Sequence, residues 1–172
     1  MTRIAVAIAM MLLAIGAPGC DAINGPSELE RAIAKEQEVI RAYSSEVDRV
    51  DTLQKQFVDA WKKANEKKDL KLYKDDLTAN VLPALDAYVS AAAAMPTASP
   101  ELQKIHAPLV AAYQAAQAEL VRFTGVVTEQ NLDGEYAKVL DAMDKVKKAE
   151  VAYLKDLQLY YARNRVELRQ GP

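Results

Sequence analysis

The feature that most constrains the fold of this chain is a long stretch, from Leu29 to Ala64, that contains neither glycine nor proline. Apolar side chains recur along it at alternating steps of four and three residues, which places them on one face of a helix. Ser27 and Glu30 form a capping-box pattern at its start. We therefore predict a helix over about 27–68, roughly 60 Å long at 1.5 Å per residue. The apolar series is Leu29, Ile33, Ile40, Tyr43, Val47, Val50, Phe57, Trp61 and Ala64, interrupted by the polar residues Glu36 and Gln54.

Three further segments show the same helical periodicity and are separated by turn-forming residues. The second spans about 70–95 and carries Pro83 near its middle, where a proline should kink a helix. The third spans about 100–131, with Ser99 as its N-cap. The fourth spans about 135–168. Four amphipathic segments joined by short connections predict an all-α protein, an antiparallel up-down-up-down four-helix bundle over residues 27–172. An alternative is that the first segment projects as a free coiled coil beside a three-helix bundle.

The residues ahead of the bundle have the composition of an export signal. Arg3 precedes an apolar run, and small residues follow it, an order typical of a secretory signal peptide over residues 1–19. The run holds about a dozen residues, fewer than the roughly twenty that span a membrane. The sequence Ala17-Pro18-Gly19-Cys20 resembles the lipobox of bacterial lipoproteins. That resemblance implies that Cys20 carries a lipid anchor, palmitate included, and that residues 20–26 link the anchor to the bundle.

The same resemblance implies a location. A lipoprotein of this kind would be held at a membrane of the bacterial cell envelope and would face the periplasm. Asp21 is similar to the mark that retains enteric lipoproteins in the inner membrane, so we favour the inner over the outer membrane. Ala17 stands where leucine is usual in a lipobox, which leaves plain secretion as the alternative.

Residue types with catalytic or metal-binding chemistry are scarce. The chain has one cysteine, which the anchor would use, and one histidine, His106. Zinc and di-iron sites need several such ligands, so we predict no metal site and no catalytic set. His106 with Met95 or Met143 is the one pair of side chains considered for holding a haem, and we predict no cofactor. With 22 basic against 24 acidic residues, the chain lacks the field that recruits nucleic acid.

Two surfaces are candidates for binding. The second segment is shorter than the first, so the start of the first segment should pair mainly with the end of the fourth, as a two-helix stalk. Such a stalk would expose apolar edges that suit a protein partner or self-association. The alternative is that the other segments slide along and cover the stalk. The predicted interaction residues are Leu29, Ile33, Ile40, Tyr160, Tyr161 and Leu168.

The second candidate is a pocket between kinked helices. Pro83 and Pro108 fall at similar distances on either side of the Met95–Pro100 loop, and two kinks at one level could open a gap. The residues expected around it are Asn80, Val81, Ala84, Ile105 and Leu109.

Taken together, these patterns predict a non-enzymatic, membrane-anchored lipoprotein that acts as a helical interaction or structural module. We expect a protein partner in the envelope, and self-association into a homo-oligomer is the other possibility. The alternative function is a bundle that binds a small ligand, either lipid or haem. An enzyme that uses carboxylates alone is the third reading.

Overall fold

The computed structural model describes residues 26–167, and within that range it contains helices and no strand. Cys20, Asp21 and Leu168 lie outside the described residues. The elements are α1 (Glu28–Asn65), α2 (Leu70–Asp76), a π-helical turn (Leu77–Val81), α3 (Leu82–Ala93), α4 (Pro100–Val126) and α5 (Leu132–Arg163). Because α2, the π-turn and α3 run on continuously, the chain forms four helical rods, and the prediction of an all-α bundle is confirmed.

Local signals in the sequence set where these helices start. Ser27 Oγ accepts from the Glu30 N–H at 3.3 Å, and the Glu30 carboxylate accepts from the Ser27 N–H at 2.7 Å, which completes the predicted capping box. Ser99 is the N-cap of α4, as predicted: its Oγ accepts from the N–H groups of Glu101 and Leu102, and Pro100 occupies the first turn.

Pro83 is accommodated by a change of helix type. Proline has no N–H to donate, and the chain adopts a π-turn over the five residues just before α3. In this turn the Leu82 N–H reaches back to the Leu77 carbonyl. The second rod therefore continues past the proline to Ala93, with its phase shifted at that point.

The connection between α4 and α5 lies earlier in the chain than predicted. Asn131 donates to the Val126 carbonyl at 3.0 Å and accepts from the Thr128 N–H at 2.7 Å, which closes a short loop. Consequently α4 ends at Val126 and α5 begins at Leu132, so the glycine at 134 lies in a first helical turn.

The end of α5 is a Schellman motif. Arg165 has φ 56°, the Arg165 N–H donates to the Ala162 carbonyl at 3.1 Å, and the Val166 N–H donates to the Tyr161 carbonyl at 2.9 Å. Val166 also packs against the core. This turn stops the helix at Arg163, five residues before the predicted end.

The first and last rods close the bundle mainly through side chains. The backbones of α4 and α5 approach closely, whereas those of α1 and α5 stay farther apart. Gln37 donates to the Asn164 carbonyl at 2.9 Å near one end of this pair, and Tyr136 donates to Asn65 at 3.2 Å near the other. These contacts show that α1 and α5 run antiparallel. The α1–α5 seam, as we call this wide junction, determines where the candidate site lies.

The prediction of an exposed two-helix stalk is wrong for three of its six residues. Ile40, Tyr160 and Tyr161 are completely buried, whereas Leu29 is 66% exposed and Ile33 is partly exposed. The physical reason is that α4 starts level with the end of α5, where Arg163 forms an ion pair with Glu101. The α3–α4 connection thus covers the apolar edges, and only the first two turns of α1 extend beyond the other rods.

Candidate functional site

A small cavity of about 60 Å³ lies inside the bundle beside the α1–α5 seam. It receives side chains from α1, α3, α4 and α5, so all four rods contribute to its wall. The residues around it are Tyr43, Val47, Val50, Asp51, Gln54, Tyr88, Ala92, Met95, His106, Leu109, Glu150, Tyr153, Leu154 and Leu157.

One part of the wall is a chain of hydrogen bonds that crosses the bundle core. His106 Nε2 lies 2.8 Å from the Ala92 carbonyl oxygen. A carbonyl can only accept, so Nε2 carries the proton and Nδ1 of the neutral ring is an acceptor. The Tyr43 hydroxyl, 2.8 Å from Nδ1, donates to it and then accepts from the Tyr153 hydroxyl at 2.6 Å. All donors in this chain point the same way, from α5 through α1 and α4 to α3.

Burial favours the neutral forms of these groups. His106 is 5% exposed, and desolvation holds its pKa below the ordinary value of 6.5, with a smaller opposing effect from the Ala92 carbonyl. Desolvation likewise raises the pKa of Tyr43 and of Tyr153 well above the ordinary value of 10.0. A neutral histidine and neutral tyrosine hydroxyls are the states that the directional chain requires.

A second polar group lies beside the first, at the level of Gln54. The Gln54 amide donates to Glu150 Oε1 and to the Tyr113 hydroxyl, each at 2.8 Å. Tyr113 in turn donates to Glu150 Oε1 at 2.6 Å. The ring of Tyr88 stands edge-on to that of Tyr113, with centroids 4.6 Å apart. Gln54 and Glu150, both polar interruptions of apolar helix faces, thus bind one another across the α1–α5 seam.

The cavity is not where the sequence placed the pocket. Of the five predicted residues only Leu109 borders it, while Asn80 is exposed and hydrogen-bonded to Asp76. Contacts between Ala92 and His106, Tyr88 and Tyr113, and Asp86 and Gln117 give the antiparallel register of α3 and α4. In that register Pro83 and Pro108 lie about 12 Å apart along the bundle, at 1.5 Å per residue. The two kinks therefore do not meet, and the predicted pocket is wrong in position.

His106 is the cavity residue that the sequence-based pocket prediction did not include. Ile105, which was expected beside the pocket, is only partly buried, whereas His106 is buried. A signal for this was present, because alternating steps of four and three lead from Leu102 through position 106 to Leu109 and Tyr113. Because the neighbouring Ile105 is apolar, it was the residue expected in the core instead of His106.

Comparisons with known proteins leave the fold to define the class. The chain matches no protein-family model, no curated protein and no solved structure. Within residues 26–167 no cluster of three or more His, Cys, Asp or Glu side chains is arranged to hold a metal ion. No helix of that same range is long and apolar enough to cross a membrane. Over residues 26–167 the protein is an all-α helical bundle whose core cavity is bordered by both apolar and polar side chains.

Proposed function

We propose that this protein is a membrane-anchored envelope lipoprotein whose helical bundle is a non-enzymatic interaction and structural module. The observation that carries the proposal is the lipobox-like Cys20, seven residues ahead of the Ser27 cap of α1. At no more than 3.6 Å per residue, a tether of seven residue steps is about 25 Å long at most. A lipidated Cys20 would therefore hold the start of α1 and the end of α5 close to the bilayer.

The opposite end of the bundle would then face away from the membrane, toward a partner. α1 alone is about 57 Å long at 1.5 Å per residue, so this distal end would stand well clear of the lipid headgroups. Leu72 is 57% exposed and Val126 is 44% exposed at this end, and Lys74 joins their helices by donating to the Val127 carbonyl at 3.3 Å. These exposed apolar side chains are the surface that a protein partner in the envelope would cover.

The anchor is tested by metabolic labelling with an alkyne analogue of palmitate, comparing the wild type with Cys20→Ser. We expect the wild type to carry the label and to sediment with membranes, and the variant to lose both properties. Label retained by the variant would refute the anchor. Density-gradient separation of the two membranes, with Asp21→Ser as the matched variant, tests the preference for the inner membrane.

The interaction role is tested with a photo-crosslinking amino acid placed at position 72, at the distal end, and at position 29 as the control. We expect an adduct of one defined mass from position 72 that disappears when Cys20 is replaced by serine. An adduct that forms equally from both positions, or none from either, would contradict a specific distal partner.

A second candidate function, binding of a small ligand, is favoured by the cavity. Its volume of about 60 Å³ is less than half of the roughly 150 Å³ of an engineered cavity that binds benzene. A haem or a lipid acyl chain is far larger than that, so a ligand of this site would be smaller than either. This candidate is tested by titrating protein that carries ¹³C-labelled methionine methyl groups with small molecules and following the signal of Met95.

A further inference from the structure

We propose that the core cavity is a binding site for a short primary alkylammonium ion. This inference rests on the ligand-binding candidate and is independent of the lipid anchor. Four properties of the cavity support it: the charge of its wall, the direction of its hydrogen bonds, its aromatic surface and its size.

The charge of the wall is negative. Two carboxylates, Asp51 and Glu150, border the cavity, and none of the side chains around it belongs to a lysine or an arginine. His106, the remaining ionisable base there, is kept neutral by burial. Desolvation is the largest cause that raises the pKa of Tyr88, and the charges of Glu150 and Asp51 raise it further. A cation is the ion that such a wall attracts.

The hydrogen bonds of the wall leave acceptors for a ligand. Tyr153 gives its proton to Tyr43, so the Tyr153 oxygen keeps its lone pairs. Gln54 and Tyr113 both give protons to Glu150 Oε1. Because the protons of Tyr153, Gln54 and Tyr113 are already committed, a molecule that binds these groups has to bring its own donors. A primary ammonium group brings three.

The cavity also has an aromatic surface and an apolar interior. The rings of Tyr43, Tyr88 and Tyr153 border it, and the face of a tyrosine ring attracts a cation within about 6 Å of its centre. Met95 and Leu109 form part of the wall on the buried side. A ligand with a short alkyl part suits that side.

The two ends of the cavity differ in exposure, which sets the orientation. Asp51, Glu150 and Leu154 are partly exposed at the α1–α5 seam, whereas Met95 and Leu109 are buried. The ammonium group would therefore lie at the seam beside the carboxylates, with its alkyl part directed inward. A volume of about 60 Å³ is roughly that of two water molecules, which fits an ion of two or three non-hydrogen atoms.

The test is a titration of the full-length protein in nanodiscs of zwitterionic lipid, with ¹³C-labelled methionine methyl groups. Met95 borders the cavity and reports binding, whereas Met143 lies outside it and serves as the internal control. Ammonium, methylammonium and ethylammonium chlorides are added against sodium chloride at equal ionic strength. We expect ethylammonium to shift the Met95 signal saturably, with a Kd of about a millimolar at best for three non-hydrogen atoms.

Substitutions at the seam locate the ion. Glu150→Gln and Asp51→Asn each remove one negative charge while keeping the side-chain shape, and we expect each to weaken binding by at least about tenfold. Asp48→Asn, an exposed carboxylate one turn away on α1, is the matched control and should leave the titration unchanged. If Glu150→Gln fails to fold, as judged by circular dichroism, Asp51→Asn still decides the question.

The other outcomes distinguish failure of the ammonium site from failure of the ligand-binding candidate. Unchanged titrations in both seam variants would overturn the ammonium site. Ethanol, a neutral molecule of similar shape, should have no effect on Met95 at equal concentration. If ethanol binds as well as ethylammonium, the cavity binds small ligands but not through charge. If the Met95 signal moves with neither ethanol nor any of the three cations, the ligand-binding candidate fails as well.

Discussion

Removing the Tyr43 hydroxyl is the perturbation that bears most directly on the hydrogen-bond chain of the core. Tyr43→Phe preserves the ring, which is completely buried, and takes away only the oxygen between His106 and Tyr153. His106 Nδ1 then loses its donor inside the core. Tyr153 loses its acceptor, but it is partly exposed at the α1–α5 seam and can turn to water.

The magnitude follows from these two losses. A buried polar atom left without its partner costs about 1–3 kcal/mol, and His106 Nδ1 is such an atom. The Tyr153 hydroxyl adds little, since water replaces its acceptor. We expect Tyr43→Phe to lower the free energy of unfolding by about 2 kcal/mol. With a urea m-value of about 1–3 kcal/mol/M, the unfolding midpoint should fall by about 1 M.

The assay is urea unfolding followed by circular dichroism, with Tyr136→Phe as the matched control. The Tyr136 hydroxyl is bonded to Asn65 at 3.2 Å in an exposed position, so its loss should cost less than about 0.5 kcal/mol. A cost for Tyr43→Phe no greater than that of Tyr136→Phe would refute the reasoning, because it would mean that His106 Nδ1 does not depend on Tyr43.

Three further predictions concern stability. Burial holds the pKa of His106 below 6.5, so the unfolded chain binds the proton more readily, and the free energy of unfolding should drop as the pH falls below 6.5, by up to about 1.4 kcal/mol per pH unit. The drop should be steeper in wild type than in H106Q, and equal slopes would contradict this prediction. Leu102→Ala, at a completely buried position, should lower the free energy of unfolding in urea by about 2–5 kcal/mol. Leu29→Ala, at a position 66% exposed, should lower it by under about 0.5 kcal/mol, and similar losses would mean that the core is misassigned. Arg165→Gly should raise the thermal midpoint, with a gain of about 0.5–1 kcal/mol, because glycine adopts φ 56° without the strain of a side chain; no gain would argue against the Schellman turn.

The helices were predictable because their signals are local. The capping box at Ser27 and the N-cap at Ser99 depend on residues a few positions apart, and both are confirmed. The two ends that differed most, at Val126 and Arg163, are set by an asparagine loop and by a left-handed arginine. Neither type of turn is specified by a strong residue preference such as a glycine at the helix end.

The site was less predictable because it depends on the register between helices. Gln54 and Glu150 were visible as polar interruptions of apolar faces, and they do meet. The position of the cavity, however, follows from how α3 lies against α4, which the Ala92–His106 and Tyr88–Tyr113 contacts define. Counting residues outward from the connecting loop does not give this register, so the two prolines were placed level when they are not.

The one-way order of the hydrogen bonds through Tyr43 has a consequence for how the core would respond to a proton. If His106 took up a proton, Nδ1 would become a donor, while Nε2 would keep its bond to the Ala92 carbonyl. Tyr43 would then have to accept from the ring and donate to Tyr153, and the Tyr153 hydrogen would turn toward the cavity. Protonation of the His106 ring, which lies against α3, would thus replace a hydrogen-bond acceptor at the α1–α5 seam with a donor, with no helix moving.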